Sequence, residues 1–166
     1  GVVSGTDSRE GEPVPYITQL IMALSGGPGL SGHDGWLTYE SSAGNGIMVC
    51  DSVEVNEATY SIVFGERRVA VDSVGPGQWC GAPATQGTYR SLTGDILVYY
   101  CGDGGTFPAN GVLGGAAGAT CGTWKRTASG VDQRLPDFHK EIFSQEEVVV
   151  YRSCAGGGYG SPRERD

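Results

Sequence analysis

Histidine and cysteine are the residue types in this sequence best suited to acid–base or nucleophilic chemistry. Two histidines occur, His33 beside Asp34 in a glycine- and serine-rich stretch and His139 in a mixed polar segment. They could form the acid–base pair of a ribonuclease-like hydrolase, with Glu66 or Arg67 stabilising charge. The simpler interpretation, which we favour, is a loop residue and a helix-turn residue without a catalytic role.

Five cysteines are spread widely along the chain, and none forms the C-x-x-C pair typical of zinc and thioredoxin-like sites. Cys80 could act as a nucleophile with either histidine, although nothing local activates it. In an oxidising compartment, five cysteines predict two intramolecular disulfides and one leftover thiol. The candidates are Cys50, Cys80, Cys101, Cys121 and Cys154, and a Cys101–Cys121 bond would close the glycine-rich loop between them.

Two long connections are rich in glycine and proline and are the best candidates for a binding surface. One runs from Gly75 to Pro83 and the other from Gly102 to Gly118. Loops of this length in a compact domain are usually functional or mobile. Tryptophan is favoured in binding hot spots, and flanking prolines reduce the entropy lost when a loop binds. The predicted binding residues are Pro76, Gln78, Trp79, Pro83, Phe107 and Asn110.

The glycines do not form a recognised cofactor motif. Segment 111–118 lacks the G-x-G spacing of a dinucleotide fingerprint and leads to Cys121 and Trp124 rather than to a helix. The chain contains no P-loop, no H-E-x-x-H pattern and no calcium loop. The sequence therefore predicts no cofactor and no metal.

The charge distribution argues against nucleic-acid and membrane partners. The net charge is −8, and the densest basic spots are the pairs Arg67–Arg68 and Lys125–Arg126. Phosphate binding by counterion release needs clustered Lys and Arg, which these pairs do not supply. No apolar run approaches the roughly 18 residues of a membrane span. The polar start is typical of a mature secreted protein, so we predict an extracellular location.

Hydrophobic periodicity predicts a β-rich α+β domain, an antiparallel sheet or sandwich of six to eight short strands with one N-terminal helix and long Gly-rich loops. Apolar residues at 17, 20, 21 and 24 have the spacing of one helix face. Strands are predicted at 59–64, 68–74, 96–101, 120–126 and 147–154, with a hairpin turn at Gly65–Glu66 between the first two, and a helical turn is predicted at 136–143. Residues 1–13 are expected to be a flexible arm, 14–154 a single domain, and 155–166 a flexible tail.

The acidic, glycine-rich, cysteine-containing composition resembles the small secreted effector proteins of plant-pathogenic fungi. That resemblance implies a binding protein that docks on an extracellular host protein, where its Gly/Pro-rich loops would inhibit a hydrolase or protease. It favours a binding protein over an enzyme. Two alternatives stay open: the His-dependent, ribonuclease-like hydrolase, and a β-sandwich module that stacks carbohydrate on Trp36 or Trp79.

Overall fold

The computed structural model describes residues 1–20, 24–37, 39–40, 46–47 and 52–165. One short α-helix, α1 (Val53–Thr59), begins at Ser52, whose hydroxyl accepts a hydrogen bond from the Val55 N–H at 3.1 Å. The strands are β1 (Val2–Asp7), β2 (Val14–Gln19), β3 (Tyr39–Glu40), β4 (Gly46–Ile47), β5 (Ile62–Val69), β6 (Thr85–Ser91), β7 (Ile96–Cys101), β8 (Gly122–Arg126), β9 (Asp132–Arg134), β10 (Phe138–Phe143) and β11 (Val148–Arg152).

Two antiparallel sheets make up most of the described fold. The first has four strands in the order β10-β7-β1-β2, and the second has five in the order β5-β6-β11-β8-β9. Strands β3 and β4 form a separate antiparallel pair. The sheets share one core of apolar side chains, including Val3, Ile96, Val98 and Phe143 from the first sheet and Ile62, Tyr89, Val149 and Tyr151 from the second. The predicted β-rich, antiparallel class is therefore confirmed.

The N-terminal segment with helical spacing contains a strand. Residues 14–19 form β2, which pairs with β1 from Val2↔Gln19 to Asp7↔Val14, while residues 21–23 lie outside the described part of the chain. The β-branched residues Val14, Ile17 and Thr18 suit an extended strand, and β1 supplies the hydrogen-bonding partner that outweighs local helical periodicity.

A second predicted helical turn, at 136–143, also proves wrong, because Phe138–Phe143 form strand β10 along the full length of β7. Phe138 and Ile142 are four residues apart, a spacing that places two residues on one face of a helix and equally on one face of a strand. The hairpin predicted around Gly65 is a single strand, β5, with an irregularity between Phe64 and Glu66.

The chain ends take part in the fold more than the sequence predicted. Val2–Asp7, expected within a flexible arm, form β1 between β2 and β7. Residues 155–158, expected within a flexible tail, are buried, and the Ala155 N–H donates to the Ala119 carbonyl at 3.0 Å.

The disulfide prediction is wrong for the cysteines that the structure describes. Cys80, Cys101, Cys121 and Cys154 are all free, and Cys50 lies outside the described residues. The proposed Cys101–Cys121 bond fails because Cys101 is exposed at the end of β7 whereas Cys121 is buried just before β8.

Candidate functional site

Four glycine-rich segments pack against one another where β6 and β8 begin and β11 ends. We call them the glycine stack, defined as residues 26–29, 75–82, 111–118 and 156–160. Segment 156–160 lies in the middle, because it shares backbone hydrogen bonds with the other three. The N–H groups of Gly29, Gly156 and Gly158 donate to the carbonyls of Gly157, Ala82 and Ala116, each at 2.9 Å.

Close backbone approach explains why these segments need glycine. A Cβ at Gly156 would overlap the carbonyl oxygen of Gly27, and a Cβ at Gly81 would overlap that of Gly156. A Cβ at Gly158 would overlap the Pro76 carbonyl. Backbone hydrogen bonding therefore replaces side-chain packing in this layer, and the two connections that the sequence marked as loops contribute to a packed part of the structure.

One border of the glycine stack carries the Asp34 cluster, made of Asp34, Gln78, Cys80 and Arg165. The Arg165 guanidinium donates to both carboxylate oxygens of Asp34, at 2.7 and 2.8 Å. It also donates to the Gln78 carbonyl at 3.1 Å, and the Cys80 N–H donates to Asp34 Oδ1 at 2.7 Å. The cluster thus ties three separate parts of the chain together.

The charges of this cluster are fixed at neutral pH. Hydrogen bonding to Arg165 lowers the pKa of Asp34 to about 2, and the same contact raises the pKa of Arg165. A carboxylate with a pKa of about 2 is a weak base, because efficient acid–base catalysis needs a pKa near the operating pH. We therefore interpret the Asp34 cluster as a structural clasp.

The predicted binding loop at residues 75–83 is held in place by contacts between Trp79 and Tyr159. Trp79 and Tyr159 exchange backbone hydrogen bonds at 3.0 and 2.8 Å, and their rings lie 5.6 Å apart. The Trp79 side chain is half-buried and Pro76 is exposed. Val112 also bridges to Tyr159, so the two glycine-rich connections meet at this residue. A binding role for Trp79 stays a prediction.

The remaining predicted binding residues differ in exposure, and the Asn110 carbonyl packs against Gly157 of the glycine stack. Phe107 and Asn110 are exposed on the second connection, whereas Pro83 is half-buried at the start of β6. No ring contact or hydrogen bond between described residues joins Phe107 to Trp79. A binding role for these residues stays a prediction.

The histidines do not form a pair among the described contacts. His33 lies in a short turn and exchanges backbone hydrogen bonds with Leu30, while His139 lies on β10 and its ring stacks on Tyr100 at 5.4 Å. The Cys80 thiol lies 3.7 Å from the Gly77 carbonyl and has no histidine partner in the described part of the chain.

A second cluster, which the sequence interpretation missed, contains two thiols. Cys121 and Cys154 both approach the Asp103 carbonyl, with sulfur–oxygen distances of 4.0 and 3.5 Å. Tyr100 lies beside them and stacks on His139. We call these four side chains, Cys121, Cys154, Tyr100 and His139, the dithiol cluster. Cys121 is buried and Cys154 half-buried, and the exposed residue Asp103 borders the cluster.

Hydrogen bonding within the dithiol cluster separates the pKa values of its two thiols. The hydrogen bond from Cys154, assisted by Tyr100, lowers the pKa of Cys121 to about 7 against the opposing effect of burial. The same contact raises the pKa of Cys154, and burial raises that of Tyr100. A thiol with a pKa near 7 is partly thiolate at neutral pH, which is the nucleophilic form.

No local sequence pattern indicates either cluster. Asp34 and Arg165 are 131 residues apart, and Cys121 and Cys154 are brought together by pairing of β8 with β11. In the described part of the chain, no group of three or more His, Cys, Asp or Glu residues is placed to hold a metal ion. No described helix is long and apolar enough to cross a bilayer.

The sequence profile of the Hydantoinase B/oxoprolinase family matches residues 1–162. The chain therefore belongs to this family. It is 24% identical over 172 residues to the caprolactamase subunit beta of Pseudomonas jessenii, an alignment that covers 98% of this chain and 29% of the relative. It is also 32% identical over 114 residues to an uncharacterised protein of Methanocaldococcus jannaschii, covering 69% of this chain and 20% of that protein.

Two solved structures share the fold. The crystal structure of the ATP-dependent caprolactamase from Pseudomonas jessenii aligns with a TM-score of 0.81 at 21% identity, covering 99% of this chain and 29% of the other. The nucleotide-free structure of an acetone carboxylase aligns with a TM-score of 0.76 at 18% identity, covering 99% and 26%. The chain spans less than a third of the length of these relatives.

Family membership overturns the interpretation drawn from composition. The family match shows that the chain is not a fungal effector. Its caprolactamase relative is named as a subunit of an enzyme, which indicates other subunits as partners rather than a host extracellular hydrolase or protease. Acidic, glycine-rich composition was misleading because the glycines serve backbone packing in the glycine stack rather than display of an inhibitory loop. The extracellular location stays a prediction.

Proposed function

We propose that this chain acts as the Hydantoinase B-type part of an ATP-dependent enzyme complex that opens cyclic amides. The supporting observation is the family match over residues 1–162, together with similarity to a caprolactamase subunit along 98% of the chain. Because the chain spans only 29% of that relative, its activity is expected in an assembly rather than in isolation. The family description, Hydantoinase B/oxoprolinase, points to cyclic amides as the substrate class.

Within the chain, the dithiol cluster is our candidate for the reactive position. Hydrogen bonding with Cys154 and Tyr100 lowers the pKa of Cys121 to about 7, and the thiolate is the nucleophilic form of cysteine. Attack of the thiolate on the ring carbonyl would form a thioester as the C–N bond breaks, with the ring nitrogen taking a proton from solvent to leave as an amine. Water would then hydrolyse the thioester to the carboxylic acid and release the thiol. The glycine stack would support this position, since segment 156–160 follows Cys154 and segment 111–118 precedes Cys121.

The assay follows ATP hydrolysis by the chain purified together with the proteins that bind it. Caprolactam, 5-oxoproline and hydantoin are supplied one at a time, and ring-opened product is measured beside ADP. We expect at least one of these cyclic amides to stimulate both. Stimulation by acetone with bicarbonate instead would favour an acetone carboxylase-like function, and stimulation by none of them would refute the proposal.

The residue assignment is tested separately with Cys121→Ala. We expect ring opening to fall at least about a hundredfold, while the assembly elutes unchanged from a sizing column. Cys80→Ala is the matched control, because the Cys80 thiol lies outside the dithiol cluster and the substitution keeps the backbone N–H that donates to Asp34. Full activity of Cys121→Ala would remove this thiol from the mechanism without affecting the family-level proposal.

A further inference from the structure

The four-stranded sheet has one face in the core and one face toward solvent. Alternation along the strands puts Val3, Ile96, Val98 and Phe143 in the core, each at most 1% exposed. Their neighbours therefore point to the other side, which we call the outer face. Its twelve outward positions are Val2, Ser4 and Thr6 on β1; Pro15, Ile17 and Gln19 on β2; Leu97, Tyr99 and Cys101 on β7; and Phe138, Lys140 and Ile142 on β10.

Apolar side chains run across the outer face in registered rows. Ile142 pairs with Leu97, Leu97 with Ser4, and Ser4 with Ile17, so one row crosses all four strands and is apolar at every position except Ser4. The next row contains Lys140 and Tyr99, and Phe138 follows beyond it. The exposed fractions are 73% for Ile17, 71% for Phe138, 59% for Ile142 and 58% for Tyr99.

This composition does not suit a solvated sheet face. An antiparallel sheet with one face in water normally alternates apolar residues inward with polar residues outward. Here Lys140 is the only charged side chain among the twelve outward positions, in a protein with a net charge of −8. Contiguous exposed apolar surface of this kind marks an interface.

The comparisons indicate what kind of surface covers the outer face. The sheet belongs to the shared fold, since the structural alignments cover 99% of this chain, yet they cover only 29% and 26% of the two relatives. In each relative, more than two-thirds of the polypeptide lies outside the fold seen here. An apolar sheet face is stabilised by a second packed layer about 10 Å away, and a larger subunit can provide one.

We propose that the outer face docks against a further part of a Hydantoinase B-type subunit, which presents an apolar layer to Ile17, Tyr99, Phe138 and Ile142. The inference depends on family membership and on the exposed face, and not on the proposed activity. Lys140 lies within the outer face, so a cross-link formed by its amine identifies the segment that covers this face. The sequence has one other lysine, Lys125, whose ammonium group is held in ion pairs with Glu141 and Glu147.

Hydroxyl-radical footprinting tests the coverage. The 166-residue chain is oxidised alone and again in the assembly purified with its bound proteins. We expect oxidation of Ile17, Tyr99, Phe138 and Ile142 to fall at least about fivefold in the assembly. Oxidation should change little at the control residues Val71 and Val131, which are exposed in connections of the five-stranded sheet. Equal oxidation of the outer face in both samples would overturn the proposal.

Cross-linking and paired variants identify the occupant. Mass spectrometry of the assembly should find cross-links from Lys140 to Hydantoinase B-type sequence outside these 166 residues. Cross-links solely to a second copy of the chain, or to an unrelated subunit, would overturn the assignment. Ile17→Glu with Ile142→Glu should weaken association at least tenfold and leave the melting temperature of the isolated chain unchanged. The control pair Val71→Glu and Val131→Glu should leave association intact.

Discussion

The carboxylate of Asp34 and the guanidinium of Arg165, 131 residues apart in sequence, meet through two hydrogen bonds of 2.7 and 2.8 Å. Through the Cys80 N–H, the same carboxylate holds the segment that carries Trp79. Arg165 directly follows the short 3-10 helix at Pro162–Glu164, so the contact ties this late part of the chain to the glycine stack. Its contribution to stability is electrostatic and should depend on pH.

Asp34→Asn should lower the free energy of unfolding at pH 7 by less than about 1 kcal/mol, because the side chain is about half exposed and the ion pair is screened. The folded pKa of Asp34, about 2, lies below its unfolded value. The stabilisation is therefore present above about pH 4 and lost as pH falls toward 2. Urea titrations from pH 2 to 7 should show the two proteins converging in acid.

Asp132→Asn is the matched control, since Asp132 pairs with Arg126 only six residues away. It should not alter the accessibility of the C-terminal segment. Asp34→Asn, in contrast, should speed proteolysis near Arg163. Equal proteolysis of both variants would contradict the clasp.

Gly156→Ala should destabilise the fold by about 3 kcal/mol or more, because the added Cβ would overlap the Gly27 carbonyl oxygen in the glycine stack. Gly130→Ala is the control: Gly130 has a φ of +82° but open space around it, so only the conformational cost of roughly 1–2 kcal/mol applies. Chemical denaturation compares the two. Similar losses would show that close packing at Gly156 is unimportant.

Lys125→Met tests a link between the sheets. The Lys125 ammonium on β8 lies 3.0 Å from Glu141 on β10 and 3.1 Å from Glu147, and it also donates to the Ile142 carbonyl at 2.7 Å. We expect a loss of about 1–2 kcal/mol in unfolding free energy, since these acceptors lose a half-buried cation. Lys140→Met, at an exposed position, should change stability by less than about 0.5 kcal/mol.

Cys154→Ala should raise the pKa of Cys121 above its value of about 7, because the hydrogen bond from Cys154 is the main cause of the lowered pKa. Absorbance at the thiolate band, followed against pH, should show a transition near pH 7 for Cys121 in the parent and a shift of that transition to higher pH in the variant. Cys101→Ala should leave that transition in place. Persistence of the neutral transition in Cys154→Ala would contradict the assigned hydrogen bond.

Trp79→Ala should cost roughly 2 kcal/mol of stability, less than a fully buried tryptophan, because its ring is half-buried and packs on Tyr159. Trp36→Ala, at an exposed residue, should have little effect on melting. If Trp79 is also a binding anchor, as the sequence predicts, affinity in the assembly should fall further than the stability loss explains. An unchanged melting temperature would contradict the packing role.

Alternation of side chains and the turn-forming residues were sufficient to predict the antiparallel β-rich class and the strands at 96–101, 120–126 and 147–154. These depend on local patterns with a period of two. The same patterns were misleading at Ile17 and at Phe138–Ile142, where a spacing of three or four residues fits either a helix or a strand. The available strand partners, β1 and β7, decided those cases.

The sequence by itself determined a glycine-rich, antiparallel β fold, whereas its prediction of two disulfides is wrong for the described cysteines. Only the tertiary structure decided that the glycines form a packed backbone layer, that Asp34 meets Arg165, and that Cys121 meets Cys154. The physical reason is the sequence separation between the residues that interact. Periodicity and turn preference act over a few residues, whereas these contacts join residues 33 or more positions apart through strand pairing and close backbone approach.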